Sequence, residues 1–223
     1  MNFTSTSERK KARMFSGIPD SVDERTYNVI LGLTIFYGFF VNAIMIVTCY
    51  SLFSSLNIYI FLAIYFVCTI AGGLIARSTK PVISFIGYNL IVLPIGGLLS
   101  ILLPMYSKKD VLSAVVITGV VVLIMVALST FYPAVFLKMG RALFISLLVG
   151  LAAQLVAILL GYGGTLFSWL FVLIFSLYIG YDWSRAQAYP KTVDNAIDSA
   201  IDIYLDIINL FIRILSIIGR RRD

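Results

Sequence analysis

Four aspartates recur at four-residue steps near the C-terminus, Asp194, Asp198, Asp202 and Asp206, and a fifth, Asp182, follows Tyr181 in an apolar stretch. Carboxylates exchange protons and bind hard cations through oxygen. At about 100° per residue, each four-residue step turns a helical side chain by about 40°, so the four form a stripe that drifts by roughly 120°. Asn209 and Arg213 extend that side, while Ile203, Leu205, Ile207, Ile208, Leu210 and Phe211 form an apolar opposite face. The chain has no histidine, and Cys49 and Cys68 stand in apolar runs without metal-like spacing. A zinc site, a haem site and a disulfide framework are thereby disfavoured. Sensing of pH near neutrality falls to carboxylates in place of imidazole.

The elements that position these acids are membrane helices. The chain is 60% hydrophobic and 13% charged, against roughly 45–50% apolar residues in soluble domains, and its mean hydropathy is +0.98. A span takes roughly 20 apolar residues. The apolar runs 27–52, 56–76, 81–104, 110–131, 141–161, 164–183 and 196–218 predict an all-α membrane protein of seven transmembrane helices. They form one domain, 27–219, between a polar head, 1–26, and a basic tail, 220–223. The expected breaks include Arg77 to Pro81, Pro133 to Arg141, the glycine-rich 161–164 and Trp183 to Asn195. The first apolar run is too long for a signal-peptide core, so it is predicted to insert as a span.

Charge gives the expected topology. Arg9, Lys10, Lys11, Arg13 and Arg25 of the head fall on one side with Arg77, Lys80, Lys138, Arg141, Arg185 and Lys191; the other side holds only Lys108 and Lys109. Cytoplasmic loops collect Lys and Arg, so the N-terminus is expected to be cytoplasmic. Arg220, Arg221 and Arg222 conflict with this if the last helix crosses fully, and agree if it is re-entrant. The net charge of +6 reads as topology, with no nucleic-acid partner. Pro94 beside Gly96 and Gly97 predicts a kink in the third helix. Gly72-Gly73 is expected to soften the second, as a packing feature or a hinge. Ser176 and Gly180, and Ala196 and Ala200, are spaced to let the sixth and seventh helices approach closely.

An ionised side chain at mid-membrane costs about 2.5–3.5 kcal/mol and usually faces a partner or water. Asp194 and Asp198 occupy first turns, where acids favour the helix dipole and touch water, so they read as solvated or capping. Asp206, about ten residues in, lies near 15 Å down its helix. Asp182 is its natural partner.

The run Tyr204-Leu205-Asp206-Ile207-Ile208-Asn209-Leu210-Phe211, with Tyr181-Asp182 before it, resembles the C-terminal signature of the Bax inhibitor-1 (transmembrane Bax-inhibitor-motif) family, over roughly residues 176 to 219. The resemblance implies six helices surrounding a central C-terminal seventh, in a bacterial cytoplasmic membrane. It also implies that Asp182 and Asp206 share a proton and act as a pH-sensing gate for calcium leak. The family's arginine counter-charge falls on Arg77, although Ser78 and Thr79 stand where related chains have more basic residues. Some relatives bind a membrane-anchored AAA protease or apoptotic proteins.

The residues suit that chemistry independently. Two carboxylates in contact cannot easily both ionise, and their titration belongs to the pair. Calcium prefers six to eight oxygens, so Asp182 and Asp206 with a few carbonyls and waters make a weak, transient site, as permeation requires. Asp202, Asp198, Asn209 and Tyr181 are the expected pathway residues, Arg77 is expected to latch the second helix to the sixth, and no cofactor is expected beyond calcium as transported ion. Competing readings are a proton-coupled secondary transporter using Gln154, Asn89 and Asn42 for a solute, and a regulator acting through the basic head. An intramembrane aspartyl protease needs Gly-x-Gly before its second aspartate, where Ile203-Tyr204-Leu205 stand, and a retinal receptor needs a lysine in the last helix. The chain is therefore expected not to be an enzyme.

Overall fold

The computed structural model describes residues 21–161 and 165–219. The basic run 9–13, most of the glycine-rich break and the three tail arginines lie outside them. Seven long helices follow one another: α1 Glu24–Thr48, α2 Ile58–Ile75, α3 Pro81–Leu102, α4 Lys108–Phe131, α5 Pro133–Leu159, α6 Thr165–Ala188 and α7 Val193–Ile218. A one-turn helix, Tyr50–Ser54, follows α1, and a 3-10 turn, Leu103–Met105, follows α3.

Local chemistry sets the starts. Asp23, Asn57, Ser107 and Thr192 cap α1, α2, α4 and α7 with side-chain oxygens that accept backbone N–H groups, and Pro81 and Pro133 open α3 and α5 at the first helical turn, where no N–H is needed. The Asp23 carboxyl lies outside the spans and is held below its usual range by hydrogen bonds from the Thr26 hydroxyl and N–H. After α5, Gly161 adopts a positive φ of 78°, the left-handed conformation that commonly ends a helix.

Two expected boundaries are corrected. The predicted break from Pro133 to Arg141 is helical, because Pro133 starts α5 directly after Tyr132. The predicted first span, 27–52, is interrupted at Cys49 and resumes as the one-turn helix. Pro94 does not end α3; Gly96 and Gly97 beyond it leave room for Met45 and Phe53.

Among the described residues, six helices, α1 to α6, are long and apolar enough to cross a membrane. Their outer faces are apolar and exposed, as at Leu33, Val67, Leu123 and Leu148, which suits lipid. The helix α7 carries too many acids to belong to that set, yet it runs the full length of the bundle. At one end its cap residue Thr192 pairs with Ser21, and Ser84 at the start of α3 donates to Asp194 at 2.7 Å. At the other end Gly219 packs against Tyr106 of the α3–α4 turn.

Four helices, α6, α1, α4 and α3, pack directly on α7, while α2 rests chiefly on α3 and α5 chiefly on α6. Glycines allow the closest approaches. A Cβ on Gly87 would lie 2.5 Å from the Ala76 nitrogen and 2.7 Å from the Gly72 carbonyl, so α3 and α2 cross backbone to backbone. Ala196 and Ala200 are fully buried with Ala186, the expected α6–α7 contact. Gly180 differs from expectation: it faces Phe136 of α5. Polar groups add cross-links typical of membrane bundles: Asn42 donates to Tyr204 at 2.5 Å, and Tyr27 to the Ala186 carbonyl at 2.9 Å.

Candidate functional site

Asp182 lies six residues before the end of α6 at Ala188, and Asp206 thirteen residues past the start of α7 at Val193. The stagger between the two helices brings both carboxyl groups to the wall of one cavity, where each feels the other. Both residues are buried, 6% and 7% exposed. Asp206 Oδ2 finds no hydrogen-bond donor among the described residues. A carboxylate only accepts, so two in contact are joined by a hydrogen bond only when one of them carries a proton.

The cation of the site is Arg185. Its Nη2 lies 2.8 Å from Asp182 Oδ1, one turn away on α6, and it also pairs with Asp202 of α7. Its guanidinium lies over the Tyr181 ring at 5.2 Å. Asp182, Arg185, Asp202 and Asp206, with Leu147 of α5, Tyr178 and Leu205, line a cavity of about 210 Å³. Three carboxylates face one guanidinium there. The excess is two negative charges when all are ionised and one when a proton is shared.

Arg77 is not in this cluster. It is exposed in the turn after α2, makes no ion pair among the described residues, and attracts Asp202 only through space. The reason is packing: the Gly72–Gly87 crossing holds α2 on the outside of α3, away from α6. The latch expected between the second and sixth helices is replaced by one between α6 and α7.

The other expected residues scatter. Asp194 is held by Ser84. Asp198 is half-buried, with one oxygen lacking a partner among the described residues. The Asn209 amide donates to the Leu205 carbonyl of its own helix at 2.8 Å. The amides considered for a solute are engaged as well: Asn42 with Tyr204, Asn89 with Tyr37, and Gln154 with Arg213. Arg185 was the residue missed. Its i,i+3 spacing from Asp182 was the available signal, masked by its place near a helix end, where arginine reads as topology.

Among the described residues, no three acidic or sulfur ligands converge as a metal cage.

Comparison with known proteins agrees with the C-terminal signature and extends over the whole bundle. The family model described as "Inhibitor of apoptosis-promoting Bax1" matches residues 20–223. An uncharacterized protein of Helicobacter pylori (strain ATCC 700392 / 26695) is 30% identical over 201 residues, covering 82% of this chain and 84% of that one. A second, from Helicobacter pylori (strain J99 / ATCC 700824), is 37% identical over 86 residues, covering 37% of this chain and 36% of its own. The buried aspartate pair thus sits in a bundle of apolar helices that the family model spans almost from end to end, and the chain belongs to the Bax inhibitor-like membrane protein family.

Proposed function

We propose that this protein is a pH-sensitive cation leak pathway, with calcium as the transported ion, gated by the proton that Asp182 and Asp206 share. The observation that carries the reading is the pair of buried carboxylates, from α6 and α7, that share one cavity within a bundle whose outer surface suits lipid.

With the proton in place, the pair is a hydrogen bond that holds α6 to α7. Its loss leaves two carboxylates in a medium of low dielectric, where like charges repel strongly. The pair then separates, and the freed oxygens attract a cation. Arg185 acts as a tethered cation that occupies the cluster in the closed state and that calcium displaces. A site of so few protein oxygens holds calcium weakly enough to release it. Leak is therefore low at acid pH and rises as pH rises through the transition of the pair.

In this reading α7 is the seventh and central span, the N-terminus is cytoplasmic by its positive charge, and the membrane is a bacterial cytoplasmic membrane. The engaged amides speak against a solute transporter. Calcium flux into indicator-loaded liposomes tests the reading: wild-type flux should rise from acid to alkaline pH. A pH-independent flux equal to that of Asp206→Asn would overturn it.

A further inference from the structure

Arg213 lies seven residues beyond Asp206 on α7, about two turns or 10 Å along the same face. An arginine on a membrane helix normally pairs with an acid or snorkels to the interface; Arg213, half-buried five residues before the end of α7, turns instead toward α5 and α6. Its Nη2 donates to Gln154 Oε1 of α5 at 3.1 Å, and its guanidinium lies 4.2 Å from the centroid of the Phe171 ring of α6, itself fully buried. Among the described residues it makes no ion pair.

The same step of seven residues recurs on all three helices. Leu147, Tyr178 and Asp206 line the acidic cavity; Gln154, Phe171 and Arg213 form the layer two turns further toward the Gly219 end. Seven residues return a helix to nearly the same face, so the second layer lies on the seam of the first. A cation leaving the aspartates along α5, α6 and α7 meets a fixed positive charge.

We propose that Arg213 is a charge-selective gate in the half of the pathway beyond the aspartate pair. This rests on the cation-leak reading above. Gln154 and the Phe171 ring supply dipole and π density without a neutralising charge, so the guanidinium keeps its full field. Repulsion scales with the charge of the ion, so a divalent cation is retarded more than a monovalent one. Arg213 limits calcium to a slow leak, while Asp182 and Asp206 decide when the path opens.

The test is calcium and potassium flux in liposomes holding the full chain as wild type, Arg213→Gln, Arg213→Lys and Gln154→Leu. Arg213→Gln should raise calcium flux by roughly tenfold and potassium flux by less, so the calcium-to-potassium ratio increases, while Arg213→Lys stays near wild type. Gln154→Leu keeps the charge but removes its anchor, and should raise the ratio in the same direction if Arg213→Gln fails to reconstitute. An unchanged ratio in both variants, with wild-type flux present and pH-dependent, overturns the gate and leaves the leak reading standing. A wild type without cation flux overturns both.

Discussion

The guanidinium of Arg185 stands between Asp182, 2.8 Å away on its own helix, and Asp202 on α7. This ion pair crosses the α6–α7 interface at the mouth of the cavity that holds Asp206. It makes Arg185 both the counter-charge of the aspartate pair and a clasp between α6 and α7.

The clasp is tested by comparing arginines. Asp202→Asn releases Arg185 from α7 and should raise calcium leak at acid pH several-fold, whereas Arg77→Ala, at an exposed position without an ion pair among the described residues, should leave it near the wild-type rate. The measurement is liposome flux at a fixed acid pH; a large effect of Arg77→Ala with none from Asp202→Asn would return the counter-charge to α2.

The α2–α3 crossing leaves no room for a side chain at Gly87, where the obstacle is backbone. Gly87→Ala should destabilise the bundle by about 1–3 kcal/mol, the usual cost of overpacking, seen as a lower thermal midpoint in detergent. Gly73→Ala, where a Cβ meets nothing within 4 Å, is the control and should be neutral or slightly stabilising.

Much of the fold is legible in the sequence because lipid imposes a length on each apolar run. The errors fall where local chemistry overrides hydropathy: Pro133 reads as a break and is a helix start. The depth of Asp206 singles it out from Asp194 and Asp198, and Tyr181-Asp182 supplies its partner. What a sequence does not carry is the stagger of α6 against α7, which decides that Asp206 meets Asp182 and Asp202 meets Arg185. Nor does it carry the Gly72–Gly87 crossing, which keeps Arg77 outside. Arg213 was visible as a charge on the acidic side of α7, but its layer with Gln154 and Phe171 needed three helices in register.

The cap of α1 gives a pH prediction outside the membrane. Asp23 is held below its ordinary value by Thr26, so its ionised form stabilises the helix start above the unfolded carboxyl value of about 3.9. That contribution is lost as pH falls through the lower folded value. Hydrogen exchange at the amides of Thr26 and Tyr27, corrected for intrinsic rate, should accelerate below about pH 4 in wild type and be fast throughout in Asp23→Ala. Equal protection in both proteins at neutral pH would remove the cap from the account.

The most direct test of the shared proton is the pH profile of calcium leak in Asp182→Asn, Asp206→Asn and the double variant beside the wild type. If the two carboxylates titrate as one unit, the wild-type flux rises with pH, either single variant abolishes the rise, and the double variant adds nothing further. Single variants that each keep a pH-dependent rise, with effects that sum in the double, would contradict the pair.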